Sequence, residues 1–239
     1  MSTTNGKRPV ALILALEVEA AAFVGQLAPS TVSSPQLSIW EGMIEGKPVV
    51  LVITGVGKVA AALATQFVCD AYKPRCVITL GLAGATDSDA PAGRLIIASG
   101  ASQHDMDARP FAAARGTIPS LGMAMIPADP ALSERLRLAT ESVVDQAVRS
   151  GVILTGDQIV ASREIRDRIL IDFPYGACFD METAAIAQVA RQNGVPWAAL
   201  RVTSDAADET FDIEEVVGFG VSTAAGTFER VVVALLKEL

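Results

Sequence analysis

The chain has 239 residues, 51% of them hydrophobic and 19% charged, with 19 basic against 27 acidic side chains and a formal charge of −8. A chain of this length can bury a continuous core without disulfides or a metal. It contains no run of Lys and Arg, which argues against a nucleic-acid partner, since that binding rests on clustered cations; the composition fits a small-molecule ligand better.

In chain order, apolar runs of strand length fall at Val10 to Leu16, Val49 to Thr54, Cys76 to Leu80, Leu95 to Ser99, Val152 to Thr155, Ala177 to Phe179 and Trp197 to Thr203. Most are continuous rather than alternating, which predicts strands covered on both faces. Between them, Lys58 to Tyr72 reads as a helix with Ala60, Leu63, Ala64, Phe67 and Ala71 on one stripe. Ser162 to Asp172 and Thr183 to Asn193 read the same way, the latter stopped by Gly194 and Pro196, and Ser222 to Leu239 closes the chain as a helix. Ser102 to Asp129 has little periodicity and reads as one long loop, of the kind that covers a site. Alternating strands and helices predict an α/β layer structure around a parallel or mixed sheet. The expected organisation is a single domain over residues 9–239 behind a disordered tail at 1–8.

Cys69, Cys76 and Cys178 lie in apolar stretches at unrelated spacings and read as reduced core residues. Lys7 and Arg8 precede an apolar run, but Glu17 and Glu19 interrupt it where a cleavage region would follow, so a signal peptide is not expected and a cytoplasmic location is. No 18 apolar residues run uninterrupted, and no membrane span is expected.

Ligands of open α/β sheets bind beyond the carboxyl ends of the strands, so the residues following each run carry the functional reading. They are Glu17 and Glu19; Gly55-Val56-Gly57-Lys58; Gly81-Leu82-Ala83-Gly84; Gly156-Asp157; Asp180-Met181-Glu182; and Ser204-Asp205. Four of these six turns carry a carboxylate, which points to one concave site rimmed with acids. Taken singly, Asp180 and Ser204 could merely cap the next helix. The Gly55-x-Gly57-x-x-Ala60 element lacks the acidic residue that a dinucleotide site needs at the end of the following strand. A phosphate-binding P-loop is excluded because Lys58 is followed by Val59 and the first required glycine is Val52. His104, the single histidine, reads as a structural loop residue rather than a metal ligand.

The segments Ala15 to Glu19, Thr54 to Ala62, His104 to Asp107, Asp180 to Ala187 and Arg201 to Asp208 together resemble the 5′-methylthioadenosine/S-adenosylhomocysteine nucleosidases of the nucleoside phosphorylase superfamily, in order and over nearly the whole chain. The resemblance implies a three-layer α/β/α fold around a central mixed sheet and a homodimer. It also implies hydrolysis of the N-glycosidic bond of adenine nucleosides without a cofactor or metal. Asp205 would then be the general acid at purine N7, Glu19 would position the attacking water with support from Arg201, and Glu182 would bind the ribose hydroxyls. Met181 would lie against the ribose, Ser204 would steady Asp205, the backbone of Val160 would read the purine edge, and Phe111 would reach into the neighbouring subunit's site. Val56, Leu82 and Ile159 complete the binding positions. Leu82 stands where the family usually has serine, Ile159 where it commonly has an aromatic, and Gln103 where an aromatic often precedes the His-Asp pair. A related nucleoside hydrolase of the futalosine type, a phosphorylase, and a non-catalytic nucleoside binder remain as alternatives.

Overall fold

A computed structural model describes residues 8–30, 32, 37–87, 92–112 and 114–239, with the backbone alone for Val221. All but the last residue of the expected N-terminal tail lies outside the described residues. The strands are β1 (Val10–Leu14), β2 (Ala28–Pro29), β3 (Ser38–Ile44), β4 (Lys47–Ile53), β5 (Cys76–Ala85), β6 (Leu95–Gln103), β7 (Ile126–Pro127), β8 (Val148–Thr155), β9 (Gly176–Asp180) and β10 (Trp197–Asp205). The helices are α1 (Glu17–Val24), α2 (Lys58–Tyr72), α3 (Pro130–Glu141), α4 (Arg163–Asp172), α5 (Thr183–Gln192), α6 (Ile213–Phe219) and α7 (Ala225–Glu238), with a π-type turn at Gly220–Ala224 joining the last two.

The strands form one mixed sheet. β4, β1, β5 and β10 run parallel in that order. β6 pairs antiparallel with β10, β8 and β9 continue parallel to β6, and β9 returns antiparallel to the end of β5. Five strands therefore close on themselves while β1, β4, β3 and β2 extend as a wing. This differs from the open sheet assumed above. The closure follows from the length of β5, which runs five residues past its expected end at Leu80 and pairs Gly84 with Phe179 on β9.

The continuous apolar runs are explained by burial on both faces. Along β1, Val10, Leu12 and Leu14 enter a core shared with Phe23 of α1, Leu132 and Leu136 of α3, and Phe228, Val232 and Leu235 of α7. Ala11 and Ile13 enter the opposite core, against Ala61, Ala64 and Val68 of α2 and Ala184, Ile186 and Ala190 of α5. Helices thus cover both sheet faces, giving the three layers.

One reading of the helices needs correction. The buried face of α2 is Ala61, Ala64, Thr65, Val68, Cys69 and Tyr72, rotated from the expected stripe, and Leu63 is exposed with Val59. In an alanine-rich helix the stripe is poorly defined by side-chain size. The helical run from Ile213 to Glu238 is also long and apolar enough to cross a membrane by length and composition. Its α7 portion instead buries Phe228, Val231, Val232, Leu235 and Leu236 against the sheet, which is the geometry of a core helix.

Candidate active site

A cavity opens where β1, β5, β8, β9 and β10 end, and α6 forms one wall. Of the residues expected at a site, Glu19, Val56, Leu82, Ile159, Val160, Met181, Glu182, Ser204 and Asp205 line it. Arg201 lies buried behind that lining. Phe111 does not line the cavity of its own chain and is 92% exposed. Glu17 and Asp157, read as part of an acidic rim, do not line it either.

Arg201 sits within β10, where both faces are covered, so its charge needs partners in the interior. Its Nε donates to Asp180 Oδ2 at 2.9 Å and its Nη2 to Thr79 Oγ1 at 3.2 Å. Burial disfavours the guanidinium, yet Asp180, Glu182 and Glu19 together hold its pKa above the usual arginine value. Asp180 is both cap and counterion: Oδ2 also accepts the Thr183 N–H at 3.0 Å at the start of α5, and Oδ1 accepts the Thr155 hydroxyl. The capping reading of Asp180 was therefore incomplete.

Glu19 is brought into the site by the turn from β1 into α1. Its Oε2 accepts the N–H groups of Ala15 and Leu16 at 3.1 and 3.0 Å, and its Oε1 accepts the Leu82 N–H at 2.9 Å. Burial raises its pKa, against the lowering effect of the Leu82 and Leu16 bonds and of the Arg201 charge. Gly81 makes this packing possible, because a Cβ there would lie 3.0 Å from Glu19 Oε1 and 3.1 Å from Arg201 Nη1. Glu182 Oε1 accepts the Gly57 N–H at 2.8 Å. Gly57 has φ of 104°, a conformation that side chains rarely adopt, and this turn aims its N–H at the carboxylate. Burial and the neighbouring Asp180 push the Glu182 carboxyl up to about 8.

At the end of β10 the register against β5 shifts between Thr203 and Asp205. Such a bulge re-aims the side chains that follow it. Asp205 Oδ2 accepts from Ser204 Oγ at 2.8 Å, and Oδ1 accepts the Ala207 N–H at 2.9 Å. Burial raises the Asp205 pKa, opposed by these two bonds. Gly84 leaves room for it, since a Cβ would stand 3.2 Å from Asp205 Oδ1.

Sequence reasoning missed the wall formed by Phe211 and, on α6, by Ile213, Val216 and Val217, all of which line the cavity. The Asp212 cap, which accepts the Glu214 N–H at 2.7 Å, was a signal for that helix. His104 is buried against the edge of Phe179, and a Cβ at Gly156 would overlap its Nε2. Its placement under the Gly156 turn is that of a packed loop residue.

The model for the phosphorylase superfamily matches residues 9–237. A 5′-methylthioadenosine/S-adenosylhomocysteine nucleosidase from Actinobacillus succinogenes is 36% identical over 173 residues, 71% of this chain and 73% of that protein. The crystal structure of the nucleosidase of that name from Neisseria meningitidis, in complex with methylthio-immucillin-A, superposes with a TM-score of 0.90 at 33% identity, covering 98% of this chain and all of that one. A futalosine hydrolase from Helicobacter pylori shares the fold, with a TM-score of 0.87 at 24% identity over 97% of this chain and 98% of that one. The carboxylates around Arg201, the bulged Asp205 and these likenesses agree: the chain belongs to the 5′-methylthioadenosine/S-adenosylhomocysteine nucleosidase family of the phosphorylase superfamily.

Proposed function

We propose that this protein hydrolyses the N-glycosidic bond of adenine nucleosides, 5′-methylthioadenosine and S-adenosylhomocysteine, with Asp205 as general acid and Glu19 as the group that orients and deprotonates water. Cleavage of the C1′–N9 bond leaves positive charge on the sugar and negative charge on the base. It therefore needs a proton for the purine and a water for C1′. The proton passes from Asp205 to N7, the water oxygen bonds to C1′, and its proton goes to Glu19; adenine and the 5′-substituted ribose are the products. An ordinary Asp with pKa about 3.9 is only about 0.1% protonated at neutral pH, so the acid role requires the upward shift that burial gives Asp205. Glu19 keeps an acceptor position on Oε1, which takes a single backbone donor. Glu182 and Met181 hold the ribose, Val160 and Ile159 the base, and the apolar α6 wall suits a 5′-alkylthio group.

The observation that carries hydrolysis over phosphorolysis is the sign of the lining. Among the described residues no Lys or Arg lines the cavity, whereas Glu19, Asp180, Glu182 and Asp205 do. A phosphate dianion would find acceptor oxygens there and no cation to pair with; a neutral water can donate to them. In the same reading the protein is a cytoplasmic homodimer, a view supported by the three free, buried cysteines and by the exposed Phe111, Val59 and Leu63. A monomer in sedimentation velocity would remove the dimer from it.

The test is adenine release from 5′-methylthioadenosine and S-adenosylhomocysteine, beside adenosine, inosine and futalosine, with and without phosphate. Release of adenine from the first two without phosphate is expected, and Asp205→Asn should lose about 10² to 10⁴-fold in kcat while still binding adenine. Base release that requires phosphate, or wild-type turnover by Asp205→Asn, would overturn the assignment.

A further inference from the structure

The His104-Asp105 pair carries part of the family resemblance, yet neither residue lines the cavity. The surroundings of Asp105 connect two turns that do. Its Oδ1 accepts from Lys58 Nζ at 2.7 Å, and its Oδ2 accepts the Asp157 N–H at 2.9 Å. Lys58 opens α2 directly after Gly57, the residue whose N–H holds Glu182. Asp157 opens the turn that continues through Gln158, Ile159 and Val160 along the cavity. The knot is closed twice more: the Lys58 N–H donates to Asp157 Oδ1 at 2.7 Å, and Lys58 Nζ donates to Gln103 Oε1 at 3.1 Å. Gln103 is itself held, its Nε2 donating to Gln188 Oε1 of α5 at 2.8 Å. The Asp105 carboxyl stays ionised in this half-buried position: burial raises its pKa, but Lys58 and the Asp157 N–H outweigh that and leave it below the ordinary value.

We propose that Asp105 is a positioning residue that clamps the Gly57 turn to the 157–160 turn, fixing the ribose end of the cavity relative to the base end. The proposal rests on the reading of the cavity as a nucleosidase site. A ligand that bridges both ends feels the clamp, and a ligand that occupies the base end alone does not. Loss of contacts made equally in the ground and transition states raises KM and leaves kcat in place.

The experiment compares wild type with Asp105→Ala in three measurements: KM and kcat for 5′-methylthioadenosine, the inhibition constant of free adenine, and the thermal midpoint. KM is expected to rise at least tenfold, with kcat and the adenine constant within threefold of wild type. Asp105→Asn, which keeps an acceptor for the Asp157 N–H but loses the ion pair, and Lys58→Met should show the same split at smaller amplitude. Their combination should be no worse than the more affected single variant. A lowered thermal midpoint with unchanged KM, or a parallel loss of adenine affinity, would overturn the proposal. Failure of the wild type to release adenine from any nucleoside would instead overturn the functional reading beneath it.

Discussion

Replacing Glu182 with Gln should make the protein more stable and less active at once, and the size of the gain follows from the site. Glu182 is 8% exposed, faces Asp180, and has a carboxyl pushed from 4.5 up to about 8. Between those two values the folded chain keeps a proton that the unfolded chain releases, so the folded state binds more protons and stability falls as pH rises. Each pH unit is worth about 1.4 kcal/mol, which makes the accumulated cost on the order of 3 kcal/mol at pH 7 and close to zero at pH 4.5. Gln is isosteric, can still accept the Gly57 N–H, and does not titrate. In thermal denaturation the variant should match wild type near pH 4.5 and exceed it by on the order of 6 °C at pH 7, using roughly 2 to 4 °C per kcal/mol for a chain of this size. Its nucleosidase activity should fall in the same samples, because Gln cannot ionise to accept from the ribose hydroxyls, as proposed for Glu182, when the sugar turns positive. A midpoint equal to or below wild type at pH 7, or a gain of the same size at every pH, would show that the fold does not hold the Glu182 carboxyl protonated at a cost.

Two further perturbations address the other carboxylates. Ser204→Ala removes a hydroxyl that favours the Asp205 anion, so the Asp205 pKa should rise further and the alkaline limb of the kcat profile should move to higher pH by about one unit; a shift to lower pH would contradict the acid role. Gly81→Ala would place a Cβ 3.0 Å from Glu19 Oε1 and 3.1 Å from Arg201 Nη1. Steady-state assays should show a loss of about 10²-fold in kcat in a chain that still folds, and retention of full activity would mean that the position of Glu19 is not critical.

What the sequence made legible follows from what local patterns encode. Continuous apolar runs with polar residues at their ends were enough to place Glu19, Glu182 and Asp205 near one another, because burial on both faces leaves a strand's polar chemistry only at its tip. Arg201 interrupts such a run, and a buried cation inside a strand demands a partner. The partner is Asp180 on β9, and that pairing depends on how β5 closes the sheet between β10 and β9, a long-range event with no signature in either segment. The α6 wall was hidden for a different reason: Ile213, Val216 and Val217 stand among Asp212, Glu214 and Glu215, a pattern that also describes a solvent-facing helix. Leu63 of α2 erred in the opposite direction, an apolar residue on a helix whose buried contacts are made by its smaller neighbours.

The charge balance at Arg201 links stability to the proposed chemistry. One guanidinium faces Asp180, Glu182 and Glu19; burial is the main cause of the raised pKa values of Glu182 and Glu19, and repulsion from Asp180 adds to it at Glu182. As the glycosidic bond breaks, the ribosyl group becomes the second cation that the carboxylates lack, and attraction that is absent toward the neutral substrate develops toward the transition state. That difference, rather than tight binding of the substrate, is what lowers a barrier. The same lining, which among the described residues holds no Lys or Arg, offers a phosphate dianion no cation, in keeping with water as the proposed nucleophile.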